Sequence, residues 1–119
     1  MNESDVIRLR HMRDAAKTAR AIATGKKRDD LDSDEMFKLS LVKCIEIIGE
    51  AASKISAAGE KECPNIPWAD IIGMRNRLIH TYFDINLNIL WKTVSEELQP
   101  LIDELEQLLP PGREKNESQ

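Results

Sequence analysis

Leu87, Trp91, Val94, Leu98, Leu101, Leu105 and Leu108 recur at alternating spacings of four and three residues without a break. A period near 3.5 keeps one seam of a helix turned toward a partner. The stretch therefore predicts a long helix over 87–109 in antiparallel bundle packing. Asn86 stands where an N-cap belongs. Pro100 brings no backbone donor and its ring meets the carbonyl four residues back, so a bend is expected near Glu96. Five glycines and five prolines in 119 residues are too few for a sandwich or barrel with many tight turns. The fold class predicted is all-α, in one domain large enough to bury a core.

Three further helices complete a bundle of four. Residues 4–24 read as the first, with Ser4 as N-cap and Asp5 in the first turn. Leu9, Met12, Ala15, Ala16, Ala19, Ile22 and Ala23 form its apolar stripe, and Gly25 suits its C-cap. Asp29 to Asp32 reads as a short polar connection. The second helix is expected from Ser33 to about Ala58. Met36, Phe37, Leu41, Cys44, Ile45, Ile47, Ile48, Ala51, Ala52 and Ile55 cover about half its circumference, which makes it the central helix. Gly49, Ala52, Ser53 and Ser56 leave part of its surface small, suited to a close crossing. Glu46 and Glu50, four apart, read either as a solvated acidic edge or as a pair facing a site. After a loop over 59–66, Pro67 opens a third helix that ends around His80 or Tyr82. Residues 1–109 are expected to form the bundle domain and 110–119 a disordered polar tail.

The net charge is −4 but unevenly spread. Residues 1–28 carry eight Lys/Arg against three Asp/Glu, residues 29–85 six against eleven, and residues 86–119 three against seven. The first helix is thus a basic element on an acidic body, which allows attraction of a polyanion. Arg10, Arg13, Lys17 and Arg20 share one of its faces, either as a solvated flank covering the core edge or as a strip that tracks phosphates. Cys44 and Cys63 read as unpaired thiols, and no ligand-spaced His/Cys set calls for a structural metal. No signal peptide and no membrane span are expected, which makes the cytoplasm the default location.

Chemistry concentrates in residues 74–84, where Arg75, Asn76, His80 and Tyr82 place a fixed cation, an amide, an imidazole and a phenol within eight residues. On a continuous helix Asn76 and His80 share a face, while Arg75 and His80 stand about 140° apart around the axis and about 7.5 Å along it. RNA carries its own nucleophile, the 2′-hydroxyl. A catalyst of its cleavage supplies a proton acceptor, a proton donor and positive charge for the phosphorane, with no cofactor and no obligatory metal. His80 suits the proton work and Arg75 the charge. One chain offers only one well-placed histidine, so a two-fold homodimer with facing helices would complete the groove. The bland alternative is an arginine and a histidine that merely complement a helix C-terminus.

Ile48-Gly49-Glu50-Ala51-Ala52, Ile66-Pro67-Trp68 leading into Ile72-Gly73-Met74-Arg75-Asn76-Arg77, and His80-x-Tyr82-Phe83 followed by Trp91 together resemble the HepT branch of the HEPN superfamily. These are ribonuclease toxins encoded beside minimal nucleotidyltransferase antitoxins, and the resemblance runs from Val6 to Leu109. It implies an α-helical bundle acting as a homodimer with catalytic sites at the dimer interface. It also implies a metal-independent endoribonuclease acting on tRNA or mRNA as the toxin of a type VII-like toxin–antitoxin system. By the same resemblance Arg75 and His80 are the catalytic pair, Asn76 supports them, and Tyr82 receives AMP from the cognate antitoxin. Arg77 joins the basic row of the first helix as a candidate RNA contact. Thr81 stands where relatives often carry an acidic residue or glycine. The rival reading is a dimeric, non-catalytic module that binds a nucleotidyltransferase partner or RNA.

Overall fold

The computed structural model of the chain describes residues 1–81 and 84–110, with residues 79–81 described by their backbone alone. Helix α1 spans Glu3–Ala23. Its cap is Asn2, whose Oδ1 accepts from the Asp5 amide at 2.7 Å, not Ser4, which lies inside the first turn. Leu9, Met12, Ala15, Ala16, Ala19 and Ala23 are buried as the stripe predicted, and Ile22 packs half-buried against them. Gly25 ends the helix with φ +77°, a left-handed conformation that glycine adopts without a Cβ penalty.

The expected polar connection contains a one-turn helix, α2 (Asp30–Ser33), whose Leu31 is buried in the core. Burial of that single leucine outweighs the polarity of its neighbours. Helix α3 (Glu35–Ser53) starts two residues later than expected, capped by Asp34 accepting from the Phe37 amide at 3.0 Å. Its apolar surface splits: Phe37, Leu41, Cys44, Ile45, Ile48, Ala51 and Ala52 are buried, whereas Met36 is 81% exposed and Ile47 39%.

The predicted run to Ala58 stops at Ser53, and Ser56 caps a separate helix α4 (Ala57–Glu62). The break has a long-range cause. The buried Asp5 carboxylate accepts from the Ser56 amide at 2.9 Å and from the Ser56 hydroxyl at 2.6 Å. Continued α-helix would need that amide for the carbonyl four residues back. The Ser56 oxygen also accepts from the Gly59 amide at 3.0 Å, which starts α4 over part of the expected loop.

Helix α5 (Trp68–Leu78) follows Pro67, as the proline predicted. Trp68 is buried and its indole N–H donates to the Cys63 carbonyl at 3.1 Å. The helix ends at Leu78, two to four residues early. Ile79–Thr81 (β1) pairs antiparallel with Asp84–Ile85 (β2), Ile79 facing Ile85 and Thr81 facing Asp84. The Leu78 carbonyl accepts from the Asn86 amide at 2.8 Å, which closes the hairpin onto the helix end. The β-branched residues at 79 and 81 favour this extended state over another helical turn.

Asn86 caps the last rod, its side chain accepting from the Ile89 amide at 3.0 Å. The rod runs as α6 (Leu87–Lys92), a π-helical turn (Thr93–Glu97) and α7 (Leu98–Leu108). The Leu98 amide donates to the Thr93 carbonyl, five residues back. Pro100 removes the donor for Glu96, so the widened turn falls where the bend was expected. A turn of this kind holds more residues than an α turn and shifts the seam. Leu90, Val94, Leu98, Leu101, Ile102, Leu105 and Leu109 are buried, while Leu87, Trp91 and Leu108 are only partly so.

α1 lies along α3 on one side and α7 on the other, and α5 packs on α3. Lys17 meets Glu106 at 3.0 Å and Arg20 donates to the Val94 carbonyl at 3.1 Å, so α1 and α7 run antiparallel. The buried apolar side chains of these helices form one core. Cys44 and Cys63 are free and buried, as the reading of two thiols required. Among the described residues, no helix is long and apolar enough to cross a membrane. The expected polar tail falls outside the described residues from 111 on.

Candidate active site

Arg75 and Asn76 sit exposed in the last turn of α5. Two features fix that turn. Met74 and Leu78 are buried on its inner side, and Gly49 of α3 lets the helix come close. A Cβ at Gly49 would stand 3.5 Å from the Ile71 carbonyl oxygen. The Arg75 guanidinium thereby projects from a helix that its own neighbours anchor.

His80 lies on β1 rather than on the helix, so the helical angle between it and Arg75 no longer applies. His80 stands between Ile79 and Thr81, which pair with Ile85 and Asp84 of β2, at an irregularity in the register. Tyr82 lies outside the described residues. Asn76 and His80 do not share a helix face.

Arg75 opens into a cleft of about 360 Å³ between α1, α3 and α5. Arg8 and His11 line it from α1, and Lys43, Glu46, Glu50 and Lys54 from α3. The two glutamates line this cleft, with Glu50 largely exposed to solvent. Glu50 pairs with Lys54 at 3.2 Å. Spacing alone held a signal for this cleft: Arg8 and His11 are three apart, and Lys43, Glu46, Glu50 and Lys54 follow one face of α3. Nothing in the spacing told which neighbouring helix they would meet.

The other candidate cations lie elsewhere. Arg77 turns to the opposite side of α5, donating to the Asp70 carbonyl at 3.2 Å and lining a cleft of about 400 Å³ with Met74, Thr93 and Glu97. Arg13 is buried and grips Asp14 through two nitrogens at 2.7 and 2.9 Å. Lys17 and Arg20 tie α1 to α7 through Glu106 and Val94. Arg10 is half-buried and bonded. The structure thus separates Arg10, Arg13, Lys17, Arg20 and Arg77 from the cleft that holds Arg75.

The cleft offers fixed positive charge and an imidazole, the groups that bind and neutralise phosphoryl oxygens and move protons near neutral pH. Among the described residues, no group of three or more His, Cys, Asp or Glu side chains could hold a metal ion.

Comparison with known proteins covers the same ground. Residues 12–108 match the ribonuclease HepT-like family, a span that includes Arg75 and His80. A Methanocaldococcus jannaschii protein named as an RNase is 38% identical over 74 residues, 62% of this chain and 68% of the relative. A Thermococcus cleftensis protein named as a ribonuclease HepT is 36% identical over 80 residues, 67% of this chain and 73% of the relative. A Caldanaerobacter subterraneus protein named as an RNase is 33% identical over 81 residues, 68% of this chain and 72% of the relative. No solved structure matches. On both the helical fold and the span of the match, the chain belongs to the ribonuclease HepT-like family of the HEPN superfamily.

Proposed function

We propose that this chain is the endoribonuclease toxin of a toxin–antitoxin pair, cutting RNA without a metal in a groove shared by two copies. The observation that carries this reading is the family match over 12–108, within which Arg75 is exposed on an anchored helix end five residues before His80. In the proposed reaction the RNA 2′-hydroxyl loses its proton to an imidazole and attacks the adjacent phosphorus. The Arg75 guanidinium pairs with the phosphorane oxygens, and the 5′-oxygen leaves with a proton returned by an imidazole. The products are a 2′,3′-cyclic phosphate and a 5′-hydroxyl. His80 of each copy serves as acid or base.

A second copy has a surface to occupy. Met36, Leu39 and Ile47 of α3 and Ile72 of α5 are exposed apolar side chains, and Ile47 borders the Arg75 cleft itself. Such a patch favours association through this face. Regulation follows from Tyr82: its phenol oxygen attacks the α-phosphorus of ATP on the cognate nucleotidyltransferase, and pyrophosphate leaves. The attached AMP adds negative charge and bulk two residues from His80, which repels RNA.

The test is cleavage of RNA in EDTA by unmodified protein, beside Arg75→Ala and His80→Ala variants. Each variant is expected to lose about 100-fold or more in rate. Equal cleavage by all three, or none by the unmodified protein, removes the ribonuclease reading and leaves the interaction module. Protein co-expressed with its antitoxin should gain mass in AMP increments that Tyr82→Phe abolishes; full neutralisation without added mass would mean inhibition by binding.

A further inference from the structure

The cations that surround Arg75 come from parts of the chain that its motif does not contain. Arg8, Lys43 and Lys54 share its cleft, together with His11 and the carboxylates of Glu46 and Glu50. Four fixed cations against two carboxylates leave the cleft net positive by two with His11 neutral, on a chain of net charge −4.

The basic row along α1 is the other candidate track for a polyanion. Its members are engaged: Arg13 holds Asp14, Lys17 holds Glu106 and Arg20 holds the Val94 carbonyl. Among the described residues, Arg8, His11, Lys43 and Arg75 form no hydrogen bond or ion pair. Arg8, Lys43 and Arg75 share a concave site on three helices in which positive charge exceeds negative, and that excess favours an anion. That is the arrangement a phosphate backbone neutralises.

We propose that the cleft between α1, α3 and α5 is a phosphodiester-binding subsite, holding the RNA backbone on one side of the bond cut. The subsite rests on the reading of Arg75 as the group that clamps the reacting phosphate. Arg8, Lys43 and Arg75 line the path of successive phosphates. Lys54 and Glu50 neutralise each other as an ion pair at 3.2 Å.

The test uses the whole protein and a short 2′-O-methyl RNA, which binds as RNA does but has no nucleophile to be cut. Affinity is read by fluorescence anisotropy across salt concentrations. Arg8→Gln and Lys43→Gln should each weaken binding and flatten the dependence of log K on log salt by about 0.7. Lys61→Gln, a charge removal on α4 of the same size, should do neither. Thermal melts of each variant separate loss of contact from loss of fold. The proposal is overturned if the unaltered protein does not bind, if Lys61→Gln matches Lys43→Gln, or if the salt slopes are unchanged. Cleavage of ordinary RNA in parallel keeps the two readings apart. A protein that cuts RNA but binds equally well without Arg8 and Lys43 loses the subsite and keeps the activity. One that binds through the cleft but never cuts keeps the subsite and loses the activity.

Discussion

Asp5 does more for this fold than any cap it was expected to assist. The side chain is almost wholly buried, and it accepts from both the amide and the hydroxyl of Ser56, fifty-one residues on. Those two donors hold its carboxyl below the usual aspartate value of 3.8, the hydroxyl first and the amide second, against the opposing pull of burial. A carboxyl depressed in the folded state stabilises fully above its unfolded pKa. The contribution drains away as the pH falls through the folded value. Asp5→Ala should therefore cost about 2–3 kcal/mol at pH 7, by the loss of charged hydrogen bonds and the stranding of the Ser56 amide. Urea unfolding at pH 7 and pH 3 checks this: the gap between variant and parent should shrink at the lower pH. The contact was invisible in the sequence, because nothing local to Ser4-Asp5 points to Ser56. The same ignorance carried the second helix through to Ala58. Asn86, by contrast, was legible as a cap because the Ile89 amide that its side chain accepts from lies three residues on.

At the scale of elements, the crossing of α3 and α5 decides where Arg75 stands. The small surface of α3 was readable, and Gly49 is the member that meets the α5 backbone. A methyl there falls at an ordinary contact distance of 3.5 Å from the Ile71 oxygen, and alanine is the better helix former by about 1 kcal/mol. Gly49→Ala should thus be neutral or raise the melting temperature. Gly49→Leu must displace a backbone atom rather than a flexible side-chain end. It should cost about 1–3 kcal/mol and slow RNA cleavage by moving Arg75. A leucine variant that melts and cuts like the parent would separate the crossing from the site. The end of α5 was misread for a different reason. Periodicity continues plausibly through Ile79 and His80, but pairing to Asp84–Ile85 and the bond from Asn86 to Leu78 take the chain into a hairpin. Residues near in sequence decided the helix; residues beyond the turn decided its end.

For the molecule as a whole, the single core sets what reaches solvent. Burial raises the thiol pKa of Cys44, and burial followed by nearby carboxylates raises that of Cys63. Both sulfurs should stay protonated and shielded at neutral pH. An aromatic disulfide reagent is expected to modify neither thiol in the native protein within the time that unfolded protein reacts at both. Rapid native reaction at either would show local opening of its helix. The bundle was legible from apolar periodicity because each main helix buries one stripe. The Arg75 cleft was not, since it gathers side chains from helices far apart in the chain, and no spacing rule links His11 to Lys43.

The π turn at Thr93–Glu97 leaves a mark on how this rod can change over generations. A π turn is an α-helix that has accepted one surplus residue while the flanks keep their faces. Loss of a single codon within 93–97, coupled with replacement of Pro100, would return the rod to plain α-helix with Leu90 and Leu101 still turned inward. The same loss within 101–108 would rotate every later leucine by about 100° and out of the core. Length variation among descendants of this chain should therefore gather at that turn, ahead of the proline.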